Sequence, residues 1–469
     1  MDLLLINPYS SNPYPMIPLG LASLAAVARA AGYSVQVVDA WAEGLSSQAA
    51  FEKRLAGLAA PKVVGVTVLT PNLAGAKEAA IAAKKIFTNA LLVIGGAHVS
   101  AVLEEALREF SEADLGVYGE GEETIKAILA SFLVSGERPQ KLAGTIWRNS
   151  DQIIKATPRE TIKDLDILPR PARDLFNLDL YQPHPPYGRR KTYFNEITSR
   201  GCPFKCSYCA KSVFGNSYRA LSPVRVVEDI KDLVAKYQVR EIHFYDDDLT
   251  LNRNRAVEIM ELLIAAKLDL IWSCTTRCDL VDVELLKLMK QAGCWMISFG
   301  VESGSDVLRE TVNKGVTRKQ IEQAFYDTKR AKIKTTAYFM IGLPGETEET
   351  VKETIEFADK LDPHYVNWAV LTVYPNSPFY FDLQNGKYGK GKIKKADSAS
   401  SPFQDSFQLG FEENLTRERM ETLASFATRS FYLRPKRIVR ILFDLRSLGH
   451  LFRTIRASWS LLRWSMAKT

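Results

Sequence analysis

The stretch Ser199-Arg200-Gly201-Cys202-Pro203-Phe204-Lys205-Cys206-Ser207-Tyr208-Cys209 decides how this chain reads. Its three cysteines, spaced C-x3-C-x2-C, follow an apolar run from Tyr193 to Thr198 that predicts a β-strand. A structural zinc normally takes four ligands, and the next cysteine, Cys274, is far downstream. Three thiols cannot pair evenly into disulfides. Three thiolates on one compact loop suit an iron–sulfur cluster with one iron left open.

With the aromatic Tyr208 just before the third cysteine, the motif resembles that of the radical S-adenosylmethionine (SAM) enzymes. The resemblance implies a [4Fe-4S] cluster on Cys202, Cys206 and Cys209, with SAM bound to the fourth iron through its amino and carboxylate groups. It also implies an electron donor such as flavodoxin or ferredoxin. One electron then cleaves SAM to methionine and a 5′-deoxyadenosyl radical, which takes hydrogen from a substrate carbon.

The 469 residues exceed one ordinary core and suffice for two or three domains. A hydrophobic content of 46% with 25% charged residues is that of a globular protein. Six cysteines, half of them in the motif, argue for a reducing compartment rather than a disulfide framework. The start, Met1 to Pro8, has no basic leader, and no stretch approaches the ~20 apolar residues of a membrane span. A cytoplasmic protein is expected.

The net charge of +7 belongs to the tail, where Arg434 to Lys468 holds nine Lys or Arg against one acid, Asp444. Pro435 opens a helix there, with Ile438, Ile441, Leu442, Leu445 and Leu448 at helical spacing. The pattern over 435–464 is that of a basic amphipathic helix. It suits peripheral contact with an anionic inner-membrane surface, and equally packing on its own domain or a twin. No basic RNA-binding appendage is present, and no nucleic-acid partner is expected.

Residues 1–140 alternate strands and helices, which predicts a Rossmann-like, doubly wound parallel sheet. Ligands in such sheets bind beyond the carboxyl ends of the strands. The loops there read Asn7-Pro8-Tyr9, Thr70-Pro71-Asn72, Gly95-Gly96-Ala97-His98 and Gly119-Glu120-Gly121-Glu122. The glycines either make tight turns or let a bulky ligand approach the backbone. Together with Pro18 to Leu21, these loops resemble the cobalamin-binding domain that precedes many radical SAM cores. That resemblance places Asn72, Gly95, Gly96, His98, Gly119, Glu120 and Gly121 at the cofactor. No D-x-H-x-x-G motif occurs, so cobalamin is expected to bind without its histidine; His98 is either a ligand contact or a packing residue.

Residues 141–190 read as a proline-rich connector with a small hairpin at Thr145 to Lys155. Over 191–383 the alternation resumes in six β/α units, which fit an open partial (β/α)6 barrel of the TIM type, as the radical SAM family has. Reacting groups in barrels sit at the carboxyl ends of strands. Those ends carry the cysteine loop, Asp246-Asp247-Asp248, Arg277, Glu302 and Gly342-Leu343-Pro344-Gly345. By resemblance Glu302 and one or more of Asp246, Asp247 and Asp248 contact the amino acid or ribose of SAM, and Gly342, Pro344 and Gly345 line its adenine. Arg277 is able to fork onto a carboxylate. The aspartates also fit a helix N-cap run after Thr250, and Glu302 and Arg277 also fit structural ion pairs. Cys274, Cys278 and Cys294 read as buried thiols. A small helical region, 384–469, ends the chain, with a Gly-, Lys- and Ser-rich loop at 385–401 and Asn414 as the N-cap of a helix.

The leading reading is a cobalamin-dependent radical SAM enzyme that methylates an unactivated carbon, one SAM supplying the methyl group through methylcobalamin and a second the radical. Radical ring formation or rearrangement without methylation, and a non-catalytic cobalamin or redox sensor, are the rivals. No catalytic side chain is assigned. The substrate is a small molecule, and only the tail points to a lipid-like one.

Overall fold

Two mainly parallel sheets carry the fold in the computed structural model, which describes residues 1–12, 14–149, 152–183, 188–190, 192–389, 391–396 and 408–443. The first is built from β1 (Leu3–Asn7), α1 (Leu19–Ala30), β2 (Val35–Asp39), α2 (Gln48–Ala56), β3 (Val63–Thr67), α3 (Leu73–Ile86) and β4 (Leu91–Gly95). It continues through α4 (Ala97–Val102), α5 (Glu104–Glu109), β5 (Leu115–Val117), α6 (Glu122–Ser135), β6 (Thr145–Asn149) and β7 (Gln152–Lys155). The strand order is β2-β1-β3-β4-β5-β6-β7. The first five strands are parallel, as their alternation with helices predicts. The hairpin β6–β7 joins antiparallel to β5, so a segment read as connector extends the sheet.

Side chains alternate across this sheet with a period of two. Leu4, Ile6, Val64, Val66, Leu92 and Ile94 bury one face beneath α3. Leu3, Leu5, Val63, Leu91 and Val93 bury the other beneath α1 and α6, in an apolar cluster that runs on into the second domain. Each large side chain so buried is worth about 1.5–3 kcal/mol against exposure. The order reverses between β1 and β3, and the crevice there is where such sheets bind ligands.

The second sheet is built from β8 (Tyr193–Glu196), β9 (Ser199–Arg200), β10 (Arg219–Ala220), α7 (Pro223–Tyr237), β11 (Glu241–Phe244), α8 (Arg253–Ala266), β12 (Ile271–Thr276) and α9 (Val283–Gln291). It continues through β13 (Cys294–Glu302), α10 (Asp306–Thr311), α11 (Arg318–Arg330), β14 (Lys334–Ile341), α12 (Glu348–Leu361) and β15 (Tyr365–Val370). The order β15-β14-β13-β12-β11-β8 is parallel throughout, and β8 and β15 do not pair: the barrel is open. Ser222, Asn252, Asp282, Thr317 and Thr347 cap α7, α8, α9, α11 and α12 by accepting from backbone N–H groups, so each strand-to-helix loop ends decisively. The predicted strand from Tyr193 to Thr198 is broken after Glu196. Asp246 holds Thr198 and Ser199, and β9 turns away to pair with β10.

The connector is clamped between the two domains. Ala172 donates its backbone N–H to Ala22 O, Arg173 pairs with Glu196 at 2.7 Å, and Tyr181 donates to Asp39 at 2.7 Å. Beyond β15 come α13 (Pro378–Gln384), a two-stranded sheet of β16 (Lys392–Ala396) and β17 (Gln408–Glu412), α14 (Arg417–Tyr432) and α15 (Pro435–Phe443). Where a loop was read from 385, α13 runs to Gln384 and β16 forms; residues 397–401 of that reading lie outside the described residues. Thr416, not Asn414, caps α14, because Asn414 donates to Glu346 O instead. Pro435 opens α15 as predicted. In its described part Arg437 and Arg440 turn inward and pair with Asp359 and Asp362, while Lys436 is exposed; Arg434, just before the helix, pairs with Asp359. The rest of the amphipathic pattern, 444–464, lies outside the described residues. No described helix is long and apolar enough to cross a membrane.

Candidate functional site

The cysteine loop leaves β9 at Gly201, whose φ of +81° and whose close approach to Ser217 O leave no room for a side chain. Backbone bonds then shape it: Cys202 N–H to Gly215 O, Cys209 N–H to Cys206 O, and Ser207 N–H to Val312 O at 2.9 Å. Lys211 Nζ gathers the carbonyls of Cys202, at 2.8 Å, and Phe204. All three thiols are free and half-buried. Burial pushes Cys202 and Cys209 up to about 11, so iron would have to displace their protons.

The donor set fits an iron–sulfur cluster by chemistry and by loop, but the thiols do not converge in this structure. Among the described residues no three Cys, His, Asp or Glu side chains gather closely enough to hold a metal ion. Cys202 Sγ faces Asp248 Oδ2 at 3.5 Å, and Cys206 Sγ lies 3.9 Å from Arg277 Nη1. Cys274, Cys278 and Cys294 are buried thiols, as read.

The predicted strand ends do meet at this loop, with roles the sequence left open. Asp246 accepts from Thr198 Oγ1 at 2.8 Å and from Ser199, so its carboxylate is spent on shaping β9. Asp247 is exposed. Asp248 is buried with its carboxylate beside the Cys202 thiol, and burial pushes its carboxyl up to about 6. None of the three caps α8, whose cap is Asn252. Arg277 forks onto Asp279 through Nε and Nη2, each at 2.9 Å, while stacking 3.7 Å over Phe204.

Glu302 ends β13 with a φ of +67° and accepts from Lys314 Nζ at 2.7 Å and Tyr208 OH at 3.0 Å. Burial works against the Lys314 ammonium, yet Glu302 and the neighbouring Cys206 hold its pKa above the ordinary lysine value. Lys314 escaped the sequence reading because nothing in its turn betrays a partner twelve residues back.

At the end of β14, the Gly342 to Glu346 turn closes on itself. Glu346 accepts from the backbone N–H groups of Gly342 and Leu343, and burial pushes its carboxyl up to about 7. Gly342, at φ +100°, packs so tightly against Met420 of α14 that a Cβ has no space. Gly345 donates its N–H to Glu413.

Between the two sheets lies a cavity of about 220 Å³, partly open to solvent. Gly95, Gly96, Gly119, Glu120 and Gly121 line it on one side, and Arg200 and Phe214 on the other. Five of the seven residues expected at cobalamin therefore share one cavity. Asn72 and His98 do not line it. Asn72 accepts from Leu69 N–H at the start of α3. His98 is buried, with Nδ1 3.1 Å from Thr70 Oγ1 and Nε2 2.8 Å from Glu109, so both ring nitrogens are already held. Gly96, at φ +112°, would set a Cβ 2.8 Å from Val68 O. The missing side chain at Gly96 thus makes room for the chain's own Val68 carbonyl.

The acids of the Gly119 to Glu122 loop have a role the sequence did not disclose. Arg200 donates to Glu120 at 3.1 Å and to Glu122 at 2.6 Å, and Arg219 donates to Glu120 at 2.9 Å.

Family models match two stretches of the chain. The radical SAM superfamily model matches residues 197–358, and the B12 binding domain model residues 10–129. A Pyrococcus horikoshii protein named as an uncharacterized methyltransferase is 32% identical over 474 residues, covering 99% of this chain and 98% of its own. The anaerobic magnesium-protoporphyrin IX monomethyl ester cyclase of Cereibacter sphaeroides is 32% identical over 375 residues, 78% of this chain and 60% of that protein. Among solved structures, the radical SAM methyltransferase TsrM of Kitasatospora setae, with cobalamin and a [4Fe-4S] cluster bound, matches with a TM-score of 0.73. It shares 18% identity, over 92% of this chain and 89% of its own. The cobalamin-dependent radical enzyme OxsB matches with a TM-score of 0.75 at 16% identity, over 100% of this chain and 72% of its own. At such identities the two structures speak for the fold alone. The chain belongs to the cobalamin-dependent radical SAM methyltransferase family, with SAM, a [4Fe-4S] cluster and cobalamin as its cofactors.

Proposed function

We propose that this chain methylates an unactivated carbon of a small molecule, with the cluster on Cys202, Cys206 and Cys209. The observation that carries the proposal is the cavity shared by the glycine loops of the first domain and the segment flanking the cysteines. It brings a cobalamin site and a radical site to one substrate, and positioning of that kind is worth several kcal/mol of barrier. When bound, SAM and the cluster supply the radical that activates the carbon, and cobalamin supplies the methyl group.

The chain's own residues hold the reactants. Asp248, Arg277 and Glu302 face the amino acid and ribose of SAM, the Gly342, Pro344 and Gly345 turn faces its adenine, and Asp246 acts through β9. Gly95, Gly96, Gly119, Glu120 and Gly121 line the cobalamin. The electron comes from an external donor such as flavodoxin or ferredoxin.

Anaerobically reconstituted protein should show cobalamin absorbance and release deoxyadenosine when reduced with SAM. Cobalamin without SAM cleavage would return the chain to the sensor reading. Peripheral membrane contact, proposed from the tail, would have to use the apolar side of α15, where Ile438 and Val439 are 41% and 49% exposed. Co-sedimentation with anionic liposomes at low salt checks it, and protein left in the supernatant removes it.

A further inference from the structure

Arg200 belongs at once to the cysteine motif, to the cavity wall and to the contact between the domains. It stands two residues before Cys202, it lines the cavity, and its guanidinium spans Glu120 and Glu122. We propose that Arg200 is a positioning residue that makes the cysteine loop respond to what fills the cavity. The inference rests on the reading of that cavity as the cobalamin site.

Both ends of the link are rigid. Glu120 and Glu122 are held from two sides: Glu120 accepts from Ile162 N–H of the connector at 2.9 Å, and Glu122 from Ser23 of α1 at 3.1 Å. They lie in the loop whose Gly119 and Gly121 also line the cavity, so a ligand seated there presses on the same backbone. At the other end, Arg200 pairs with Arg219 across β9–β10, and Asp246 holds Thr198 and Ser199 just before it. Gly201 lies against Ser217 O and Cys202 N–H is bonded to Gly215 O, so the segment from Arg200 to Cys202 is packed along residues 215–217. A shift of the guanidinium therefore passes to Cys202 with little slack.

The charges explain why the link is stiff. Two cations, Arg200 and Arg219, meet two anions, Glu120 and Glu122, and none of the four side chains is more than 13% exposed. Removing one member leaves an uncompensated buried charge, which opposes any partial opening. A clamp with a purely structural role would hold the domains together yet leave the cysteine loop indifferent to the cavity.

Hydrogen–deuterium exchange of the full-length protein separates the two roles, read on peptides covering Cys202 to Cys209, none of which lines the cavity. Hydroxocobalamin is the probe, and its binding is followed independently by absorbance. Added cobalamin should slow exchange of those peptides in the wild type. At equal cobalamin loading by absorbance, the slowing should be lost in R200M and in E122Q, and partly restored in R200K. E122Q keeps the size of the side chain, takes away one of the two negative charges facing Arg200 and Arg219, and serves if R200M fails to fold. Undiminished slowing in cobalamin-loaded E122Q or R200M, or none in the loaded wild type, overturns the proposal. A wild type that shows no cobalamin absorbance overturns the cavity reading instead, and the inference with it.

Discussion

Lys314 Nζ lies 2.7 Å from Glu302 Oε1, with both side chains at least 90% buried. Gly300 makes the pair possible, since a Cβ there would fall 2.5 Å from that oxygen and 2.7 Å from that nitrogen. Tyr208, the residue before the third cysteine, donates to the same carboxylate. The pair thus fixes the end of β13 to the cysteine loop. K314M should strand Glu302 as an unpaired buried charge and cost about 3–5 kcal/mol in urea unfolding. K314M with E302Q should recover part of that loss. A single variant as stable as the wild type would show that the pair does not hold in solution.

The six cysteines should divide into two sets. Alanine at Cys202, Cys206 or Cys209 should abolish the paramagnetic signal of the reduced cluster and all deoxyadenosine formation. Alanine at Cys274, Cys278 or Cys294 should lower the melting temperature by a few degrees, since each loses a buried sulfur, yet leave the signal intact. SAM cleavage by the triple variant of the motif would refute the assignment.

Gly95 and Gly96 should behave differently although they adjoin. A Cβ on Gly95 meets Val117 only at 3.6 Å, an ordinary contact, so G95L should fold and mainly lower cobalamin content. At Gly96 the left-handed φ and the crowding at Val68 O oppose any side chain, and G96A should cost about 1–3 kcal/mol before cobalamin is considered. Absorbance after gel filtration, set beside the unfolding curve, checks both. Full cobalamin content in a folded G95L would move the cofactor away from this wall.

Glu241 opens β11 far from this chemistry and offers a pH test of the fold. Burial pushes its carboxyl up to about 7, although Arg189 N–H, Arg190 N–H and Trp295 Nε1 all donate to it. A group whose folded pKa is raised favours the native state while protonated. Its contribution is fully present below the unfolded value near 4.5 and is lost as pH rises through 7. Relative to E241Q, the wild type should lose about 2–3 kcal/mol between pH 5 and pH 8. Equal pH slopes for the two proteins would show that Glu241 is ionised throughout.

What the sequence disclosed follows from which interactions are local. Period-two strands, capped helices and the cysteine spacing are written in neighbouring residues, so both sheets and the motif were legible. The break after Glu196 was not, because it depends on Asp246 reaching back across the sheet to Thr198. Nor were Lys314 with Glu302, or Arg200 with Glu120 and Glu122, since residues far apart in sequence give no periodic signal. His98 sat in a motif that pointed to a cofactor, yet Thr70 and Glu109 occupy both its nitrogens. The basic face of α15 suited a membrane and packing on its own domain equally, and in its described turns Arg437 and Arg440 pair with Asp359 and Asp362.

The central claim is transfer of a methyl group to carbon by a chain that holds cobalamin and a radical site together, and product analysis with methyl-labelled SAM tests it most directly. Candidate small molecules are incubated with the reduced, cobalamin-loaded enzyme, and those that stimulate SAM consumption are followed. The label is expected in the product, with about one deoxyadenosine and one S-adenosylhomocysteine formed per methyl group transferred, because radical formation and cobalamin remethylation each consume one SAM. Deoxyadenosine without S-adenosylhomocysteine, and a product unchanged in carbon count, would contradict the claim and assign the chain to radical chemistry without methyl transfer.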